Sequence, residues 1–269
     1  MIIRKRYVDG PFGQLHLREN APVSGPPLVC LHATAYSSRS FVALAEALDG
    51  RRRVIAIDTP GYGQSDPPPG RIDIAAYADA VAEALAPEFP AMVLLGHHTG
   101  VAIAAEMALR HPRRVSQLVL SGIPYFQALD FAAWKARLTV RHTLDDDLAH
   151  LAERWDFLVR SRPASLPLER GFGNFVDELL AWPNGSWAHE ALFAWPVTER
   201  LAAIAQPTLV LNLPGHLSEP SRMAAAMMRD ATVEELPEVG GAAFDLHADV
   251  LAAKIEAFLH ARALTPSVA

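Results

Sequence analysis

Apolar residues follow two rhythms along this chain. Short unbroken runs, PLVCLH (27–32), RVIAID (53–58), MVLLG (92–96), QLVLSG (117–122) and PTLVLN (207–212), have the length and continuity of strands buried on both faces. Between them lie stretches with helical spacing: FVALAEALDG (41–50), IAAYADAVAEALA (74–86), VAIAAEMALRHP (101–112), SRMAAAMM (221–228) and ADVLAAKIEAFL (248–259). RKRYVDGPFGQLHLR (4–18) predicts two short strands around a Gly/Pro turn, and TVEEL (232–236) a further strand. Strands alternating with helices predict a parallel sheet with right-handed crossovers.

The alternation stops over residues 125–200, a polar-aromatic, helix-like stretch with no buried strand. All five tryptophans fall there: Trp134, Trp155, Trp182, Trp187 and Trp195. The expected organisation is one sheet core, 1–124 with 201–269, carrying a helical lid at 125–200. DDD (145–147) reads as a solvated helix start and the final TPSVA as a frayed tail.

Composition narrows the function classes. The 269 residues are 51% hydrophobic and 20% charged, a globular balance with material for a large core. The net charge is −6 and the basic clusters RKR (4–6), RRR (51–53) and HPRR (111–114) are short, so neither nucleic acid nor an anionic membrane is an expected partner. No segment approaches a membrane span, and the N-terminus lacks a signal peptide's apolar stretch. The lone cysteine, Cys30, lies inside an apolar run and reads as a buried inert thiol. A cytoplasmic protein, monomer or homodimer, is expected.

The chemistry gathers around GHHTG (96–100), which follows the apolar run AMVLL. LHATAYSS, DTPGYGQSD, GHHTG with AAEMALRHP behind it, PTLVLN and the C-terminal IEAFL together resemble the α/β-hydrolase superfamily. The likeness is closest to the lid-bearing members that include haloalkane dehalogenases, epoxide hydrolases and carbon–carbon bond hydrolases. It spans nearly the whole chain and implies an α/β-hydrolase fold, a mostly parallel sheet flanked by helices with a helical lid insertion.

That family places its nucleophile at the centre of G-x-Nuc-x-G, on a strained turn between a strand and a helix. Gly96 and Gly100 fix the register, so the resemblance puts His98 at the elbow, where histidine tolerates positive φ comparatively well. The family's acid and histidine positions also differ: LPGHLSEP offers His216 and Glu219, and GGAAFD offers Gly241 with Asp245 and His247 beyond. Acyl-enzyme chemistry through a Ser-His-acid triad is therefore not expected.

An imidazole titrates near neutrality and can move protons without a serine, so His98 is the expected general base or acid, with His216 and Asp245 as candidate partners. Asp245 reads equally well as a helix cap before LHADVLAAKI. By carry-over, the backbone N–H groups of Thr34 and Thr99 form the oxyanion hole. His32 matches the histidine of the family's oxyanion loop. It is expected at the substrate with Tyr125, Trp134, Trp155 and Trp187, although a helical lid also needs tryptophans to bury its own seam. His97 reads as a buried support and Asp58 as a brace of the PGYG turn.

No cofactor is implied. His32, His98 and His216 lack a carboxylate or cysteine at ligand spacing, so no metal is expected. The expected function is that of a cofactor-free enzyme acting on a small, mainly apolar or aromatic carbonyl compound, by hydrolysis with base-activated water, lyase-type C–C cleavage, or cyclisation or isomerisation. Its alternatives are a catalytically dead homologue kept as a ligand or partner binder, and an esterase using Ser37 or Ser121.

Overall fold

The computed structural model describes residues 2–140, 149–182 and 184–263. The DDD run at 145–147 and the TPSVA end lie outside the described residues. Eight strands form one sheet: β1 (Arg4–Gly10), β2 (Gly13–Glu19), β3 (Leu28–Leu31), β4 (Val54–Ile57), β5 (Met92–His97), β6 (Val115–Ser121), β7 (Thr208–Asn212) and β8 (Ala231–Glu235). The spatial order is β1-β2-β4-β3-β5-β6-β7-β8. β1 and β2 form an antiparallel hairpin, β2 pairs antiparallel with β4, and β4 through β8 run parallel.

The unbroken apolar runs have a direct cause. Successive side chains of a strand point to opposite faces, and both faces are covered. Val29, Leu31, Ile55, Ile57 and Leu94 join one buried cluster with α2 (Ile74–Leu85) and α3 (Thr99–Arg110). Leu28, Cys30, Val54, Ala56, Val93 and Leu95 join a second cluster with α1 (Val42–Ala47) and residues of the C-terminal helices. Burial in that second layer pushes the Cys30 thiol well above its ordinary pKa, as an inert thiol requires.

Between β6 and β7 the described residues are helical: α4 (Phe131–Leu138), α5 (Ala149–Trp155) running into one wide turn at Asp156–Arg160, α6 (Leu168–Leu180), α7 (Trp187–Ala194) and α8 (Val197–Ala202). Asp73 and Asp130 cap α2 and α4, accepting from Ala76 N–H at 2.8 Å and Ala133 N–H at 3.0 Å. The C-terminal part adds α9 (Ser218–Ala225), the single turn α10 (Ala243–Leu246) and α11 (Ala248–Ala263).

Polar groups lock the insertion to the core. Glu106, buried on α3, accepts from Arg200 on α8 at 2.5 and 2.6 Å and from Trp195 Nε1 at 2.8 Å. Glu106→Ala would leave the buried Trp195 N–H without its acceptor while the part-exposed Arg200 turns to solvent, so it is expected to cost about 1–3 kcal/mol, read as a lowered urea midpoint. On the other side of the insertion, Asp177 of α6 accepts from Ser37 Oγ at 2.7 Å, and Arg170 donates to Asp245 Oδ1 at 2.7 Å. Some members of each short basic cluster are likewise paired within the fold. Arg6 and Arg53 meet Glu19, Arg52 meets Glu256, and Arg114 donates to the Ala82 and Phe89 carbonyls.

Candidate functional site

The site begins at the sharp turn between β5 and α3. His98 has φ 50° and ψ −114°, a conformation few L-residues adopt. The glycines on either side explain how the turn closes. A Cβ on Gly100 would lie 2.1 Å from the Leu31 carbonyl oxygen, and one on Gly96 would lie 2.5 Å from the Gly100 oxygen. Only glycine lets α3 start this close to β3. The turn is pinned by His98 N–H donating to the Ser121 carbonyl at 3.0 Å and Val101 N–H donating back to the His98 carbonyl at 2.9 Å.

The His98 side chain rests against Gly122 (φ +64°), where an added Cβ would fall 2.7 Å from its Cδ2 and 2.9 Å from its Nε2. The ring opens on a cavity of about 1020 Å³ between the core and the insertion. Burial holds the His98 imidazole well below its ordinary pKa, and neighbouring His97, His216 and His189 add to the depression. The ring is therefore neutral at physiological pH.

Thr34 and Thr99 both line the cavity beside His98, and Thr34 Oγ1 donates to Thr99 Oγ1 at 2.9 Å, tying the two segments together. Thr99 opens α3, so its N–H has no acceptor one turn earlier in the helix. It points to where a helix N-terminus stabilises negative charge.

His216 also lines the cavity, its ring centroid 6.4 Å from that of His98, and it stacks on Trp134 at 4.5 Å and 12°. These two imidazoles are neighbours without a direct hydrogen bond. Asp245 is not brought to them. Its carboxylate is held by Arg170, it does not line the cavity, and it sits inside α10 rather than capping α11. The expected His98–Asp245 pair is thus replaced by a core-to-insertion ion pair.

His32 is corrected as a ligand contact. It is 2% exposed, with Nδ1 donating to the Ala33 carbonyl at 2.9 Å and Nε2 accepting from Thr59 N–H at 3.0 Å. Both nitrogens shape the loop. Of the aromatic candidates, Trp134 lines the cavity; Tyr125, Trp155 and Trp187 do not. Trp155 packs on Phe172 and Phe175, and Trp187 lies under the Arg71 guanidinium. Asp58 accepts from Ser38 N–H at 2.6 Å, Gln64 N–H at 2.9 Å and His16 at 2.8 Å, and these bonds hold it at about 2 against the opposing effect of its burial. Ser37 is engaged by Asp177 and Ser121 is fully buried, and neither lines the cavity.

Several cavity residues escaped the sequence reading. His97 continues the alternation of Val93 and Leu95, packs on Phe244, and yet reaches the cavity with its ring centroid 4.3 Å from that of His98. Its Nδ1 donates to the Ser121 carbonyl at 3.3 Å, which leaves Nε2 unprotonated. His189, His150, Tyr36, Arg137 and Trp182 also line the space. Their only signal was membership of the insertion or of the oxyanion loop. Among the described residues, no group of three or more His, Cys, Asp or Glu side chains is placed to hold a metal ion, and no helix is long and apolar enough to cross a membrane.

The buried imidazoles predict a pH dependence of stability. Burial pulls His97 and His189 down to about 4, while an unfolded histidine titrates near 6.5. The unfolded chain therefore binds more protons as pH falls between these values, and stability complete above about pH 6.5 declines towards pH 4. Asp177 and Asp245, both raised by burial, oppose this within the carboxylate range. The thermal midpoint is expected to drop between pH 7 and pH 5; a flat or rising midpoint would contradict these assignments.

Comparison with known proteins bears on the fold and family. Residues 26–211 match the family described as alpha/beta hydrolase fold. A 2-(acetamidomethylene)succinate hydrolase of Mesorhizobium japonicum is 29% identical over 156 residues, 56% of this chain and 55% of that protein. A pimeloyl-[acyl-carrier protein] methyl ester esterase of Aeromonas hydrophila is 34% identical over 108 residues, 39% of this chain and 41% of that one. The chain thus spans about half the length of these relatives or less. A putative lipase from Acinetobacter baumannii superposes with a TM-score of 0.78 at 17% identity, covering 96% of this chain and 91% of that one, a likeness of fold. The strand order, the glycine-flanked elbow and the matched span lead to one assignment: the chain belongs to the alpha/beta hydrolase fold family.

Proposed function

We propose that this protein is a cofactor-free enzyme that moves a proton on a mainly apolar, aromatic carbonyl compound, with His98 as the base. The observation that carries this reading is the neutral His98 imidazole, held at φ 50° on the elbow and opening on a cavity of about 1020 Å³. Backbone strain of this kind, about 1–3 kcal/mol, persists where the surrounding structure holds it in place, and such residues gather at active sites. The cavity is at the upper end of the range for small-molecule sites, so the ligand is larger than the sequence alone suggested.

The chemistry follows from the arrangement. A carbonyl oxygen placed at the Thr34 and Thr99 N–H groups is polarised by them. His98 takes the proton from the adjacent carbon, and the C–H electron pair moves onto the oxygen as an enolate. The buried imidazolium that results is a strong acid next to an anion, so it returns its proton readily to carbon or passes it to another site. His216, 6.4 Å away between ring centroids, is an exposed imidazole on the same cavity. The same base can instead activate a water for attack on the carbonyl. The helices of residues 125–200 act as the lid that keeps bulk water from the site.

The test is exchange at the carbon next to the carbonyl. Aryl methyl ketones incubated with the protein in D2O are expected to lose their α-proton NMR signals faster than in buffer, while chromogenic esters show no turnover above background. Ligand binding without exchange or turnover would instead establish a binding protein on the same fold.

A further inference from the structure

The cavity wall opposite in character to the apolar floor is polar and already paired. Arg154 of α5 and Glu178 of α6 form a two-bonded ion pair, Nε to Oε2 and Nη2 to Oε1, both at 2.7 Å, and both line the cavity. This geometry leaves Arg154 Nη1 and one lone pair on each Glu178 oxygen without a partner among the described residues. Tyr36 joins them on the lining. Its backbone N–H closes a turn onto the Ala33 carbonyl at 2.8 Å, so Tyr36 and the Thr34 N–H are presented by one rigid loop. The Tyr36 hydroxyl makes no hydrogen bond among the described residues. Burial, reinforced by the Glu178 charge, pushes its pKa up to about 12, so it remains a donor.

Charge and shape narrow what fits. Among the described residues, the charged groups on the cavity wall are Arg137, Glu153, Arg154 and Glu178. A ligand carboxylate meets Glu178 and a ligand ammonium meets Arg154, so each is opposed by one member of the pair. A hydroxyl is the neutral group that both donates, here to Glu178, and accepts, here from Tyr36 or Arg154. The remaining wall, with Phe126, Trp134, Phe157, Phe175 and Trp182, suits a flat ring system.

We propose that Tyr36, Arg154 and Glu178 form a recognition site for a hydroxyl group on a neutral, flat, multi-ring aromatic carbonyl ligand. This rests on the reading of the cavity as a carbonyl site. Tyr36, Arg154 and Glu178 are half-buried, so a bound analogue that lacks the hydroxyl covers their polar atoms without pairing them and binds more weakly.

The experiment titrates the full chain, by tryptophan fluorescence and calorimetry, with three probes: 6-hydroxy-2-acetonaphthone, its 6-methoxy ether, and 6-acetyl-2-naphthoic acid. The hydroxy ketone is expected to bind about tenfold to a hundredfold tighter than the ether, and tighter than the acid. Glu178→Gln is expected to shrink the hydroxyl-to-ether gap to about threefold or less, because the gap reports the O–H donated to that carboxylate, whereas Tyr36→Phe is expected to weaken both probes, whose oxygens each accept from the phenol; folding is checked by circular dichroism. Equal binding of hydroxyl and ether, no binding of either, a gap that survives Glu178→Gln, or both affinities unchanged in Tyr36→Phe would overturn the proposal. His98→Ala separates this from the catalytic reading: the hydroxyl preference is expected to remain while α-proton exchange is lost. Wild-type protein that prefers the hydroxyl but catalyses no exchange would sink the catalytic reading alone.

Discussion

His98→Ala is expected to slow α-proton exchange by about 10²–10⁴-fold, the usual contribution of a positioned general base. Ligand affinity is expected to change far less, since the ring occupies one wall of a large cavity. The variant relieves backbone strain less than glycine would, because alanine at φ 50° is itself disfavoured. His98→Asn is the cleaner partner: asparagine tolerates a left-handed backbone but has no basic nitrogen. Both variants are expected to fold and bind, and both to lose exchange. A variant that keeps wild-type turnover would end the role of the imidazole as base.

The pH profile adds a second constraint on the same group. Burial and the surrounding imidazoles lower the His98 pKa, so its base form persists to more acid pH than a free histidine's. The rate in a proton-transfer assay is therefore expected to stay level from pH 8 down through the ordinary histidine range, and to fall only below it. An acid limb centred near pH 6.5, the value of a free imidazole, would contradict His98 as the base.

The parts of this molecule that were legible in its sequence are those set by local rules. Leu28 through Leu31 read as a strand buried on both faces because each side of the sheet meets its own apolar layer. Gly96 and Gly100 gave the elbow register because a backbone crossing so close excludes any side chain. What stayed hidden depended on contacts between distant segments. Asp245 looked available to a histidine, but Arg170, 75 residues earlier, takes its carboxylate. Trp155 and Trp187 looked like ligand contacts, while Trp182 is the one that joins Trp134 at the cavity. Which face of an insertion helix looks inward is decided by how the helix docks, and several of these helices carry apolar residues on more than one side. His97 was read as a support because it precedes the elbow. It is one, through Phe244 and the Ser121 carbonyl, and its ring is large enough to reach the cavity as well.

Gly100→Ala is expected to abolish folding or to cost more than about 4 kcal/mol, the range reserved for core clashes without an outlet. The new Cβ would lie 2.1 Å from the Leu31 carbonyl oxygen, 2.6 Å from its carbon and 3.0 Å from the His32 oxygen. All three are backbone atoms, and Leu31 is hydrogen-bonded into the sheet between β4 and β5, so no side-chain rotation can make room. Gly122→Ala differs in kind. Its close contacts are the Cδ2 and Nε2 atoms of His98, a side chain that can swing away, and its φ of +64° adds a strain of about 1–2 kcal/mol. That variant is expected to fold with reduced stability and a displaced His98, losing proton transfer out of proportion to its lost stability. Gly70→Ala, with nothing within 4 Å, supplies the neutral control. Urea denaturation of the three, beside their exchange rates, separates a glycine that lets the elbow close from one that sets the direction of its imidazole. If Gly122→Ala keeps full activity, the ring's resting position against that glycine is not the one it uses.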